Sequence, residues 1–113
     1  MYKVEAIIRN QKLEEVQEAL EAIKVSGITV SDVRGIGRQK GITHTYRGSQ
    51  YTMNLVPRVK IEVVVTDEEL QEVVDVIRES ASTGEIGDGK IFIIKVEDAV
   101  RIRTGERGDT SLK

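Results

Sequence analysis

Hydrophobic and polar positions change period several times along the chain. Residues 2–8 are rich enough in β-branched and apolar side chains for a strand. Over residues 12–24, Leu13, Val16, Leu20 and Ile23 fall on one helical face with Ala19 beside them, and Glu14, Glu15, Glu18 and Glu21 take the other. Asn10 stands where a helix cap would, and Ser26-Gly27 marks the end, because glycine takes the left-handed conformation easily. Residues 28–36 read as a second strand. Residues 37–55 follow neither period and hold Gly37, Gly41 and Gly48 among polar residues. A connection this long is usually functional or disordered. Pro57 marks the return to the sheet, and over 58–65 Val59, Ile61, Val63 and Val65 alternate onto one side. Thr66 with Glu69 three residues on forms a capping-box pattern. It opens a helix with Leu70, Val73, Val74 and Ile77 at helical spacing, which fades at Ser80-Ala81-Ser82. A glycine-rich turn, 83–90, leads into a strand over 91–96, and the polar tail 104–113 is expected to be loose.

The order strand, helix, strand, long loop, strand, helix, strand is the doubled βαβ of a ferredoxin-like α+β sandwich. Both helices should then pack on one face of an antiparallel sheet. Val64 makes the third strand apolar on its other side as well, which predicts cover by another subunit.

Composition narrows the field. The 113 residues make one domain, with a single core of modest size that oligomer contacts would support. There is no cysteine, which removes disulfides and thiolate metal sites, and the one histidine, His44, cannot build a metal cluster alone. Glu5 and Arg9 interrupt the first apolar run well short of a signal-peptide core. No stretch approaches the roughly 20 apolar residues that cross a bilayer, so a cytoplasmic location without direct membrane insertion is expected. The net charge of −2 argues against broad nucleic-acid binding. With 4% aromatics and a lone Phe92, the strands lack the stacking surface of an RNA-binding sheet. No nucleophile stands with a recognisable base, so no enzyme is expected.

The charge is unevenly placed. Between Asp32 and Glu62 there is no acidic residue, while Arg34, Arg38, Lys40, Arg47, Arg58 and Lys60 all lie there. That suits either a solvated basic loop or a local anion site. The turn Gly84-Glu85-Ile86-Gly87-Asp88-Gly89-Lys90 has Walker spacing, but Ile91 replaces the hydroxyl residue that would hold magnesium, and the helix precedes rather than follows. What remains is a glycine-rich turn whose N–H groups can approach an anion, with a lysine at its edge. Arg101-Ile102-Arg103 places two arginines on one side of an extended segment. Arginine's planar fork suits phosphate, and equally suits surface pairing with Glu97, Asp98 or Glu106.

Together these residues resemble the PII signal-transduction family of GlnB/GlnK type. One signature surrounds a modified tyrosine, here Tyr46-Arg47-Gly48-Ser49-Gln50-Tyr51. The second runs from Thr83-Gly84-Glu85 through Gly89-Lys90 to Lys95-Val96. Gly35-Ile36-Gly37-Arg38-Gln39-Lys40-Gly41 and Val100-Arg101-Ile102-Arg103-Thr104-Gly105-Glu106 are also family-like, so the likeness covers all but the tail. It implies a single PII domain over 1–113, with a T-loop at 37–55, a B-loop at 83–90 and a C-terminal segment from 98.

The resemblance further implies a homotrimer with ATP and ADP competing for clefts between subunits. Gly87, Asp88, Gly89 and Lys90 would hold the phosphates, with Arg101 and Arg103 reaching in from the neighbour. Thr29, Gly37, Arg38 and Val64 would line the nucleoside end and the T-loop base. Gln39 would coordinate Mg2+ bridged to ATP, and 2-oxoglutarate would complete the metal's shell. The carboxylates of 2-oxoglutarate would meet Arg9, Arg58 and the backbone of Gln39, Lys40, Gly41 and Gly87. Differential affinity for T-loop conformers would be the switch, read by an ammonium channel, another transporter or nitrogen-metabolism enzymes, with Arg47 as the channel contact. Recruitment to a membrane would run through such a transporter. Tyr51 and Ser49 match modification positions.

Three departures stand out: Arg58 replaces the usual lysine, Asn10-Gln11 replaces a proline-containing pair, and Gln50 stands where Glu or Ala is usual. Arg58 is larger and forked, and so supports an alternative in which ATP and ADP are sensed with weak or no response to 2-oxoglutarate.

Overall fold

In a computed structural model, the protein is described over residues 1–36, 42–46, 49–53 and 55–113, with the backbone course alone for 42–46 and 49–53. The elements in chain order are β1 (Tyr2–Arg9), α1 (Leu13–Ala22), β2 (Thr29–Ile36), β3 (Ile42–Tyr46), β4 (Ser49–Met53), β5 (Leu55–Val65), α2 (Leu70–Ala81) and β6 (Gly89–Lys95). Short 3-10 turns occupy Asn10–Lys12 and Gly108–Leu112. Four strands form one sheet in the order β2-β5-β1-β6, and each neighbouring pair is antiparallel. This is the strand order of the ferredoxin-like α+β sandwich, as the pattern of periods predicts.

The core is the seam between sheet and helices. Val4, Ala6 and Ile8 of β1 and Val59, Ile61, Val63 and Val65 of β5 are buried, facing Val16 and Leu20 of α1 and Val73, Ile77 and Ala81 of α2. Register explains the choice of face: Val4 pairs with Val63, Ala6 with Ile61 and Ile8 with Val59, so side chains of one parity share the helix side. The opposite parity places Lys3, Glu5, Ile7 and Arg9 beside Arg58, Lys60, Glu62 and Val64 on the open face. Lys60 pairs there with Glu5 at 3.5 Å and Lys3 with Glu62 at 3.2 Å. Phe92 and Ile94 of β6 are exposed on the same face.

Pro57 sits inside β5 opposite Arg34, one residue beyond the last β1–β5 pair, Arg9 with Arg58. Its missing N–H therefore costs no ladder bond on that side. The capping box forms as expected: the Glu69 N–H donates to Thr66 Oγ1 at 3.3 Å, and the Thr66 N–H reaches Glu69 Oε1 at 3.4 Å.

Three local expectations change. Asn10 opens a 3-10 turn instead of capping α1, which has no side-chain cap. α1 ends earlier than Gly27: Val25 N–H donates to Leu20 O at 3.2 Å and Lys24 N–H to Glu21 O at 2.9 Å, with Lys24 at φ 62°. That is a Schellman closure with lysine in the position glycine favours. Residues 37–55, without a period in sequence, contain an antiparallel hairpin in which Ile42 pairs with Met53 and Tyr46 with Ser49.

Candidate functional site

The glycine-rich turn between α2 and β6 is shaped by one carboxylate. Asp88 Oδ2 accepts from the N–H of Thr83 at 2.8 Å and of Gly84 at 2.9 Å, while Oδ1 accepts from the Thr83 hydroxyl. Arg9, at the end of β1, donates from Nε to Asp88 Oδ1 at 3.1 Å and from Nη2 to the Ile86 carbonyl at 2.9 Å. These donors, the Thr83 hydroxyl foremost, hold the Asp88 carboxyl well below the usual carboxylate range. A carboxylate so engaged sets the course of the turn. Its neighbours Gly87, Gly89 and Lys90 are then left to face the cleft.

Close approach explains the glycine at the turn's end. Gly89 has φ +100°, and a Cβ there would lie 1.8 Å from the Ile7 carbonyl oxygen. Only glycine lets the turn join β6 while staying paired to β1 at Ile8.

Next to this turn lies an open cavity of about 730 Å³ on the open sheet face. Arg58 and Lys90 supply positive charge, Gly87 and Gly89 supply backbone, and Ile7, Val56 and Phe92 supply apolar walls. Burial, and then the neighbouring Arg9 cation, lower the affinity of Arg58 for its proton, while Asp88 acts in the opposite sense. Arg9, Arg58 and Asp88 thus form one charge cluster at the cavity's edge. Two cations beside apolar walls suit an anion with a short carbon skeleton.

A second, smaller cavity of about 300 Å³ brings Thr29 and Val64 together with Lys3, Ser26 and Glu62, and with Ser111 and Leu112 of the last 3-10 turn. Arg101 stands apart from the glycine turn. Its Nη1 donates to Glu106 Oε1 at 2.9 Å, and its Nη2 donates to the Thr110 carbonyl at 2.9 Å and to the Lys113 carbonyl. The extended course expected for 101–103 is not observed. Arg101 N–H donates to Glu106 O and Gly105 N–H to Arg101 O, closing a tight turn in which Ile102 is fully exposed. Gly105, at φ 75°, lets the chain reverse there, a signal present in the sequence as Thr104-Gly105. Arg103 is exposed on the same turn.

The sequence-derived residues therefore fall into groups. Arg9, Arg58, Gly87, Asp88, Gly89 and Lys90 converge at the turn, Thr29 and Val64 share the second cavity, and Arg101 and Arg103 lie on the C-terminal segment. Gly37, Arg38, Gln39, Lys40, Gly41 and Arg47 lie outside the described residues, and Ser49 and Tyr51 are described by backbone alone, on β4. The role of Thr83 was not foreseen. The Thr-Gly and Asp-Gly spacing of the turn is the signal for it, since such side chains bond nearby backbone N–H groups.

Fold and site define a ferredoxin-like domain with a cation-lined cleft over a glycine turn. The family description "Nitrogen regulatory protein P-II" matches residues 1–106. Nitrogen regulatory protein P-II 2 of Methanothermobacter thermautotrophicus is 58% identical over 108 residues, covering 96% of this chain and 94% of its own. Nitrogen regulatory protein P-II of Rhizobium meliloti is 54% identical over 108 residues, covering 96% of each chain. The crystal structure of Arabidopsis thaliana PII bound to citrate superposes with a TM-score of 0.80 at 45% identity, covering 97% of this chain and 90% of that one. The chain belongs to the nitrogen regulatory protein P-II family.

Proposed function

We propose that this protein is a homotrimeric signalling regulator, not an enzyme, that binds ATP or ADP, takes 2-oxoglutarate alongside ATP, and controls its targets through the 37–55 segment. The observation that carries the reading is the cleft beside the glycine turn, where Arg58, Lys90 and the backbone of Gly87 and Gly89 meet apolar walls. Phosphate would sit against Gly87, Gly89 and Lys90, with Asp88 holding the turn in shape. One chain carries only part of such a site. Lys90 and the turn form one half, and Thr29, Val64, Arg101 and Arg103 form the other, which a neighbouring copy would bring in.

Exposed apolar residues support that assembly. Phe92, Ile93 and Ile94 on edge strand β6 are 47%, 51% and 41% exposed, too much apolar surface for a strand facing water alone. The dicarboxylate effector would meet Arg58, with Arg9 behind it. Citrate, a polycarboxylate, in the Arabidopsis relative supports a carboxylate pocket in this fold. Among the described residues no group of three or more His, Asp or Glu fits a metal. Mg2+ would accordingly depend on the nucleotide's own phosphates and on Gln39, which lies outside the described residues. Among the described residues no helix is long and apolar enough to cross a membrane; the protein would act in the cytoplasm and reach membranes through a partner transporter such as an ammonium channel. Enzymes of nitrogen metabolism are the other class of target, and Arg47, Ser49 and Tyr51 of the 37–55 segment would be the contact and modification positions.

The Arg58 cluster favours a second reading. Its guanidinium sits beside Arg9 and Asp88, which leaves the fit of 2-oxoglutarate narrower than a lysine would and suits a sensor of ATP and ADP alone. Calorimetry of ATP, then of 2-oxoglutarate with Mg-ATP present, separates the two. The nitrogen-sensor reading expects ATP binding that weakens at least tenfold in Lys90→Ala, and 2-oxoglutarate binding that requires ATP. Unchanged ATP affinity in that variant contradicts the phosphate assignment. ATP binding without any 2-oxoglutarate response selects the energy sensor.

A further inference from the structure

The polar tail, expected to be loose, is docked. Residues 98–108 close on themselves: Asp98 accepts from Arg107 Nη1 at 2.9 Å, from the Ala99 N–H at 2.8 Å and from the Gly108 N–H at 3.1 Å, and Val100 bridges to Arg107. Beyond this knot the turn Gly108–Leu112 folds back. Ser26 donates from Oγ to the Leu112 carbonyl at 3.0 Å, so the turn lies against the open end of β2 and β5, and Leu112 borders the cavity that holds Thr29 and Val64.

The same turn engages Arg101. Both terminal nitrogens of the guanidinium are committed, one to the Glu106 carboxylate and the other to the carbonyls of Thr110 and Lys113. Three oxygens around a guanidinium are what a phosphate would offer, and an apolar side chain beside Thr29 and Val64 stands where a nucleoside would. We propose that the turn 108–112 is an internal pseudo-ligand, which holds the Arg101 half of the nucleotide site closed until nucleotide displaces it. This inference rests on the nucleotide reading above and adds a regulatory element to the same site.

The exchange is chemically reasonable. A phosphate group brings several charged oxygens to one guanidinium, and charge-assisted hydrogen bonds are roughly twice as strong as one to a neutral carbonyl such as that of Thr110, so nucleotide can win Nη2 from the turn. The knot formed by Asp98 need not break. Gly108 joins it to the turn at φ +71° with open space around it, a natural pivot. Apart from Arg101, the turn is held at its start by the Gly108 N–H on Asp98 and Ala99, within by Thr110 Oγ1 to Arg107 O and Ser111 Oγ to Gly108 O, and at its end by Ser26, which tethers it to the sheet.

A closed latch lowers apparent affinity by the fraction of molecules that are open. Leu112→Ala removes the turn's apolar side chain from the cavity it lines with Thr29 and Val64, and the double variant with Ser26→Ala also removes the tether. Calorimetry should show ATP binding about fivefold tighter or more in the double variant, as expected if about four-fifths of wild-type molecules are latched. Glu14→Gln, an exposed change on α1, should leave affinity unaltered. In the wild-type protein, amides of 108–113 should exchange faster with ATP than without. Equal ATP affinity in wild type and double variant, or slower tail exchange with ATP, overturns the latch and leaves nucleotide binding standing. Failure of both proteins to bind ATP at millimolar concentration overturns the nucleotide reading, and the latch with it.

Discussion

Asp88 shows how one side chain can set the course of a glycine-rich turn. Four hydrogen bonds converge on its two oxygens, from the Thr83 N–H and hydroxyl, the Gly84 N–H and Arg9. Its proton affinity is lowered, so the folded-state pKa lies below the unfolded value of about 3.9. The stability this confers is complete above the unfolded value and is lost only as pH falls through the lower folded value. In an NMR titration, the Thr83 and Gly84 amide shifts should hold their neutral-pH positions at pH 3.5, where an unperturbed aspartate is largely protonated. Asp88→Asn should remove that dependence and disturb both amides at every pH. Shifts that move between pH 5 and pH 4 in the wild-type protein would show that the carboxylate is not so held.

Most elements were legible because periodicity reports burial. Leu13, Val16, Leu20 and Ile23 marked the face of α1 that meets the core, and Val59 to Val65 marked the buried parity of β5. The capping box of α2 was legible because Thr66 and Glu69 satisfy backbone N–H groups locally. The hairpin of β3 and β4 was not, since the sequence over 42–53 shows no sustained apolar alternation that would mark a strand. Of the site, the glycine turn and Lys90 could be read in advance. The Arg9–Asp88 pair joins residues 79 positions apart, and only the β1–β6 pairing brings them together. The end of α1 was misread for a related reason: Gly27 looked like the closing residue, but the Leu20–Val25 contact in the core fixes closure at Lys24. A lysine in the left-handed region costs about 1–2 kcal/mol, part of which glycine gives back in chain entropy. Lys24→Gly should accordingly raise stability by about 0.5–1 kcal/mol in urea unfolding. A loss of stability would mean that the Lys24 side chain makes a contact worth more than the strain.

At the scale of the whole molecule, the open face and the edge strand β6 leave apolar side chains in water, while the cationic groups attributed to nucleotide lie in two separate places on one chain. A cyclic trimer resolves both features if each cleft takes Lys90 from one protomer and Arg101 from the next. Complementation tests this directly. Lys90→Ala chains and Arg101→Ala chains should each form trimers that bind ATP poorly. Co-expressed, they should form mixed trimers with one intact cleft each, the one flanked by the unmodified Lys90 of one chain and the unmodified Arg101 of the other. The account predicts that calorimetry of isolated mixed trimers returns close to one high-affinity ATP site per trimer. Mixed trimers that bind no better than either parent, or a protein that sediments as a monomer, would contradict it.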